Sequence, residues 1–125
     1  MLRISKEYVT DNHSPKNPPA ARCHTGETVV FQTRDCYDDR LAGDGSVFER
    51  EKALENPATG PLYIEEAQPG DVLKVKIEKI DLNPTGLMRA STSGGAFNDL
   101  VEYRKVRQFD TSGEYLQFND KLRFK

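Results

Sequence analysis

Long apolar runs are missing from this sequence. No window approaches the roughly 20 consecutive apolar residues that cross a bilayer, and the N-terminal stretch MLRISKEYVTDNH has no apolar signal-peptide core. A soluble, cytoplasmic chain without a membrane partner is expected. An excess of charge of one sign is missing too: 18 basic and 20 acidic residues leave a net charge of -2. No run interleaves Lys and Arg with aromatics, so neither a field nor a stacking platform for nucleic acid is present. Cysteine is scarce. Cys23 and Cys36 flank a predicted strand, which does not read as a secreted disulfide scaffold, and reduced thiols are expected. No second cysteine or histidine stands two to four residues from either one, and the adjacent His24 is badly placed to share an ion with Cys23, so a self-contained zinc site is not expected. There is no GxSxG elbow, P-loop or GxGxxG, and Gly94-Gly95 alone carries little.

A chain of 125 residues has the size of one domain and buries roughly two thirds of its surface on folding. Apolar residues make up 36% and mean hydropathy is -0.71, so one modest core is expected. Pro15, Pro18 and Pro19 predict an irregular lead-in over 10–22. TVVFQT at 28–33 is a β-branched and aromatic run, and it predicts a strand. Residues 34–60 show no sustained period beyond a short helical stretch around 47–54, and read as a long functional loop. LYI at 62–64 predicts a short strand, followed by a turn at Gln68-Pro69-Gly70-Asp71. In VLKVKIEKIDL, Leu73, Val75 and Ile77 alternate with Lys74, Lys76 and Glu78, which is the period of a half-buried strand. Lys79 breaks the phase, and Ile80 and Leu82 resume it one residue out of register, as at a bulge or a sheet corner. A loop is predicted over 83–95, strands around 100–106 and 115–118, and a terminal strand containing Leu122 and Phe124. That last strand either continues into further structure, pairs with another chain, or is a plain edge. The pattern is mainly β, an antiparallel sandwich formed by residues 1–125.

Several residues are placed to carry chemistry. Asp35 follows the strand 28–33 directly, where a rigid element holds its origin and a loop leaves it open to a cation or a substrate amide. Spacing alone favours a plainer reading, with Asp35 capping a turn or lying with Asp38 and Asp39 in a solvated acidic loop. NPATG at 56–60 combines an Asn suited to an Asx-turn, a fixed-φ Pro and a permissive Gly. Such a turn aims backbone N–H groups at an anion or simply reverses the chain. Cys36 is a poor nucleophile candidate, because His13 and His24 both precede the strand in turn or loop settings.

Taken in order, GETVVFQTRDC, ENPATGPLYIEEAQPGDVLKVKI, the Gly94-Gly95-Ala96-Phe97 stretch and FNDKLRFK resemble successive blocks of the acetamidase/formamidase family, in its N-terminal part. The middle block is the most specific. The resemblance implies a hydrolase acting on the C–N bond of small linear amides, giving the acid and ammonia. It implies a largely β fold with a jelly-roll-like N-terminal sandwich, which agrees with the period-two pattern. It also implies that later blocks of the family, with their His and Asp residues, have no counterpart in residues 1–125. The chain is then the N-terminal portion of a larger fold, inactive alone, working as a homo-oligomer or with a complementing C-terminal half. Carried over, Asp35 is the implied catalytic residue and the implied ligand of a divalent metal such as zinc, with Thr33, Asn56 and Thr59 as substrate-binding residues. Asp38-Asp39-Arg40-Leu41 departs from the family's usual segment after TRDC, so no role is carried onto Asp38 or Asp39. Two readings from other classes stand beside this one: a non-catalytic β-sandwich binding module, and an assembly subunit whose open strand pairs with a partner.

Overall fold

The structure is a computed structural model that describes all residues, Met1–Lys125. Short β-branched and aromatic runs separated by Pro, Gly, Asn and Asp give short strands. There are ten: β1 Leu2–Ile4, β2 Val9–Thr10, β3 Ala21–Cys23, β4 Val29–Phe31, β5 Ala58–Thr59, β6 Leu62–Ile64, β7 Thr85–Ala90, β8 Lys105–Asp110, β9 Leu116–Asn119 and β10 Leu122–Phe124. A single 3-10 turn, Asn98–Leu100, is the helical content, and no helix is long and apolar enough to cross a membrane. The fold is mainly β.

The chain divides into two compact units, the first made of Met1–Arg40 with Glu49–Lys74 and the second of Leu41–Phe48 with Val75–Lys125. In the first unit β1 and β4 run parallel with Ile4 opposite Phe31, and β3 and β6 run parallel with Cys23 opposite Ile64. β2 and β5 are antiparallel. The ladders extend past the strand ends, since Gln32 N donates to Ile4 O and Glu65 N donates to Cys23 O. Ile4 and Cys23 are buried here. The β3–β6 pair is tied at its surface by Arg22, whose guanidinium meets Glu65 at 3.0 Å and lies 4.1 Å above the Tyr63 ring. Next to it, His24 Nδ1 sits 2.5 Å from Glu66 Oε1, while Glu66 Oε2 accepts from Thr25 N.

In the second unit β7 and β8 form a six-residue antiparallel ladder from Thr85–Asp110 to Ala90–Lys105. β9 and β10 form a hairpin. Their aromatic residues make the core: Phe109 stacks on Phe118 at 5.7 Å, and Phe118 meets Phe124 edge-on at 5.9 Å. Phe109 and Leu41 are buried.

Several expectations are corrected. Two of the five strand pairs are parallel rather than antiparallel, because side-chain alternation marks a strand without marking the direction of its neighbour. The helix around 47–54 is absent; Val47 instead bridges Leu41, and no apolar stripe is available to bury a helix there. The predicted loop 83–95 contains β7, which the six-residue match with β8 stabilises despite its poor propensity. The strand placed around 100–106 lies instead at Lys105–Asp110, preceded by the 3-10 turn. The clearest strand pattern of all, 72–82, has no ladder partner, and Leu73, Val75, Ile77, Ile80 and Leu82 are each about 70% exposed. Its periodicity is intact, but nothing in residues 1–125 pairs with it. The Gln68–Asp71 turn that leads into it forms as expected, with Asp71 N donating to Gln68 O and Gly70 at φ +99.

Two outcomes follow from these contacts. Phe109→Ala removes the buried ring of the aromatic core and lowers unfolding free energy by about 3 kcal/mol, whereas Phe124→Ala, at the half-exposed rim, costs about 1 kcal/mol; urea titration distinguishes them. The hydrogen bond to Glu66 raises the His24 pKa above its ordinary 6.5, and the same hydrogen bond holds Glu66 at about 2 instead of 4.5. A raised His contributes fully below 6.5 and is lost as pH rises through its folded value; a lowered Glu contributes fully above 4.5 and is lost as pH falls towards about 2. The pair is therefore fully formed between pH 4.5 and 6.5. An NMR titration of His24 should show a raised midpoint that returns towards 6.5 in Glu66→Gln.

Candidate functional site

The segment TRDCYDDR leaves β4 and turns back on itself through its own carboxylates. Asp35 Oδ1 accepts from Tyr37 N at 2.9 Å and from Asp39 N at 2.8 Å, and Asp39 Oδ1 accepts from Asp35 N at 2.9 Å. This reciprocal capping allows Asp38 and Asp39 to take φ values of +63° and +55°, a left-handed conformation that short polar side chains tolerate better than most. Two such residues in succession persist only where the surroundings hold both.

Those surroundings are a buried ion pair. Arg34 Nη1 donates to Asp38 Oδ1 at 2.8 Å, with the Arg34 side chain 5% exposed and the Asp38 side chain fully buried. Arg34 Nη2 reaches Glu7 at 2.9 Å, and Arg50 Nε lies 3.7 Å from Asp38 Oδ2. Burial alone pushes the Asp38 carboxyl up, but the Arg34 hydrogen bond, the Leu54 amide and the charges of Arg34 and Arg50 together hold it below the usual carboxylate range. The same bond raises Arg34. Asp39 is likewise net lowered: burial opposes its charge, but Lys6 at 2.6 Å and the Asp35 amide outweigh it. Arg34 Nε is buried without an acceptor, so the centre of the cluster keeps one unused donor.

The second strip of the site, 54–59, is hung on this turn. Leu54 N donates to Asp38 Oδ2 at 3.3 Å, Asn56 N to Cys36 O at 3.0 Å, and Thr59 Oγ1 to Gln32 O at 2.7 Å. TRDC and NPATG, about 20 residues apart in the chain, thus lie side by side. Of the residues expected to carry function, Asp35 is exposed at the turn, with one oxygen committed to backbone amides and none of its hydrogen bonds on Oδ2. Thr33 is exposed immediately before it, and Asn56 is exposed at φ +51° beside Cys36 O. Thr59, in β5, also lines an open cleft of about 370 Å³ with Thr10, His13 and Pro61. His24 is engaged by Glu66, and Cys36 is exposed with no histidine bonded to it. Arg34 and Arg50 escaped the sequence reading, and Asp38, read there as part of a solvated acidic loop, is instead buried; the i, i+4 spacing of Arg34 and Asp38 was the available signal, but only the fold shows that the pair is buried.

No three His, Cys, Asp or Glu side chains of this chain gather where a metal ion would be held. The donor set expected for a divalent cation is therefore not assembled by residues 1–125 alone. What the arrangement offers is a carboxylate on an exposed residue, rigidly based through Oδ1, beside a strip whose Asn56 N and Gly60 N are already bonded within the chain. Such a carboxylate accepts a hydrogen bond from an amide N–H or a water.

The Acetamidase/Formamidase family model matches residues 3–118. No curated protein matches the chain. Among solved structures, the chain is similar to the acetamidase of Bacillus halodurans, with 32% identity and a TM-score of 0.82 over 98% of this chain and 42% of that one. It is also similar to a recombinant predicted acetamidase/formamidase from the thermophile Thermoanaerobacter tengcongensis, with 30% identity and a TM-score of 0.84 over 98% of this chain and 41% of that one. The chain thus spans about two fifths of the length of these relatives.

Asp38→Ala leaves Arg34 buried and uncompensated, and should destabilise the first unit by about 3 kcal/mol or more. The double replacement Arg34→Met with Asp38→Leu removes both charges and should recover most of that loss in urea unfolding. Because the Asp38 carboxyl is lowered, its contribution is present above its ordinary 3.8 and disappears as pH falls through the lowered value.

Proposed function

Since this chain belongs to the acetamidase/formamidase family, we propose that residues 1–125 form one part of a hydrolase that cleaves the C–N bond of small linear amides, such as formamide and acetamide, to the acid and ammonia. The observation that carries this reading is the match over residues 3–118, which includes both TRDC and NPATG. With two fifths of the relatives' length, the chain supplies one wall of the working site and is inactive by itself. In the assembled protein the strands of residues 1–125 belong to a jelly-roll-like sandwich.

In this reading the Asp35 carboxylate is the catalytic group. Its turn-bound Oδ1 fixes its position, while Oδ2 accepts a hydrogen bond from the substrate amide or from the attacking water. Thr33 and Asn56, exposed on either side, orient the amide. The Thr59 hydroxyl is committed to Gln32 O, so Thr59 contributes a wall rather than a donor. A divalent cation such as zinc, when bound, would lower the pKa of a water and polarise the carbonyl. Asp35 is the residue of this chain that would hold it or orient a ligand, with the other ligands coming from outside residues 1–125.

The test is ammonia release from formamide and acetamide, with and without added zinc, by residues 1–125 alone and after assembly with the portion of the Bacillus halodurans acetamidase that this chain does not match. The isolated chain should release none and the assembly should be active. Asp35→Asn keeps an acceptor for the turn amides but removes the charge, and it should reduce turnover by about 100-fold or more. Full activity of an Asp35→Ala assembly would overturn the assignment.

A further inference from the structure

Strands β1 and β4 run parallel, so the chain leaves both at the same end of the pair. The segment after β1, Ser5-Lys6-Glu7-Tyr8, and the segment after β4 that contains TRDCYDDR are therefore brought together by topology, within the first unit. The first segment is itself a formed turn, with Tyr8 N donating to Ser5 O at 3.1 Å and Glu7 N to Ser5 Oγ at 3.3 Å. Its two charged residues grip the second segment. Lys6 Nζ donates to Asp39 Oδ2 at 2.6 Å, and Glu7 Oε2 accepts from Arg34 Nη2 at 2.9 Å. Lys6 thus takes the oxygen of Asp39 that is left once Oδ1 accepts from Asp35 N.

This division of the Asp39 carboxylate has an electrostatic reason. Asp35 and Asp39 face each other across reciprocal hydrogen bonds, which holds two anionic side chains in one turn, where like charges repel. Arg34 is engaged by Asp38 and Glu7, and Lys6 is the cation bonded to Asp39. We infer that Lys6 is a positioning residue for Asp35. By holding Asp39 Oδ2 it keeps Asp39 Oδ1 on the Asp35 amide and the Asp39 amide on Asp35 Oδ1, and so fixes the direction in which Asp35 Oδ2 points. The catalytic consequence rests on the functional reading of Asp35 above, whereas the geometry belongs to this chain alone. An ion pair whose lysine is half-exposed contributes little to stability. The effect of Lys6 is therefore on orientation and not on folding.

The experiment compares residues 1–125 with their Lys6→Met variant by NMR, using the three-bond couplings that report the Asp35 χ1 rotamer and the exchange rates of the Asp35, Asp39 and Leu54 amides. In the unaltered chain Asp35 should occupy one rotamer. In Lys6→Met it should average over more than one, and the Asp35 and Asp39 amides should exchange faster by about tenfold or more. Leu54 N, bonded to Asp38, should keep its rate, and the urea midpoint should not move. Lys6→Arg, which restores the charge, should restore the single rotamer. In the assembly with the portion of the Bacillus halodurans acetamidase that this chain does not match, Lys6→Met should lower kcat by about tenfold with KM unchanged, because orientation is lost and binding is not. The inference is overturned if Asp35 is already averaged in the unaltered chain, if Lys6→Met leaves its rotamer and exchange rates as they were, or if Lys6→Arg behaves as Lys6→Met. A fall in Leu54 protection and in the urea midpoint alongside the Asp35 changes overturns it too, since that is general loosening. The two readings fail separately. Rotamer averaging in Lys6→Met beside an assembly that releases no ammonia sinks the amidase reading alone, and an active assembly indifferent to Lys6→Met sinks the positioning role alone.

Discussion

Everything at the candidate site hangs on the Arg34–Asp38 ion pair. Two charges taken out of water cost more than their attraction alone returns unless further hydrogen bonds compensate them, and here they do so for the buried atoms of the pair other than Arg34 Nε. Here the Asp38 carboxylate is shared among Arg34, the Leu54 amide and Arg50, and Arg34 also holds Glu7. The cost is met because the pair also holds structure in place. It keeps two consecutive residues in a left-handed conformation, and it anchors the return strip that carries Asn56 and Thr59.

This explains why Asp35 is presented as it is. A carboxylate on a free loop would sample many positions, and much of its usefulness would be lost to entropy. Reciprocal bonds with Asp39 fix Asp35 through one oxygen while the other stays open. The turn-cap reading and the functional reading of this residue, which compete in the sequence, turn out to be compatible, because a carboxylate has two oxygens with separate duties.

The two units differ in what stabilises them. The first relies on polar organisation around one small pair of apolar residues, Ile4 and Cys23. The second is built on stacked aromatics, with Arg107 lying 5.0 Å over Phe109. Neither buries much. The apolar side chains best suited to a large core, those of 73–82, are exposed. The strongest strand pattern of this mainly β fold thus adds little to either core.

Much was legible from local chemistry. Val29–Phe31 and Leu62–Ile64 are strands because β-branched and aromatic residues suit a pleated surface, and Gln68–Asp71 turns because Gly70 permits positive φ. The family likeness lay in the same residues, and so did the candidacy of Asp35, Thr33, Asn56 and Thr59. What tertiary structure alone decided were matters of partnership. β7 is a strand because β8 lies beside it, β1 and β4 run parallel because of how distant segments meet, and 75–82 keeps its strand pattern without joining any of the five pairs. Burial of Arg34 with Asp38 belongs to the same class. Periodicity and turn chemistry are properties of neighbouring residues and are written along the chain, whereas pairing, direction and burial depend on which remote segments come together in space.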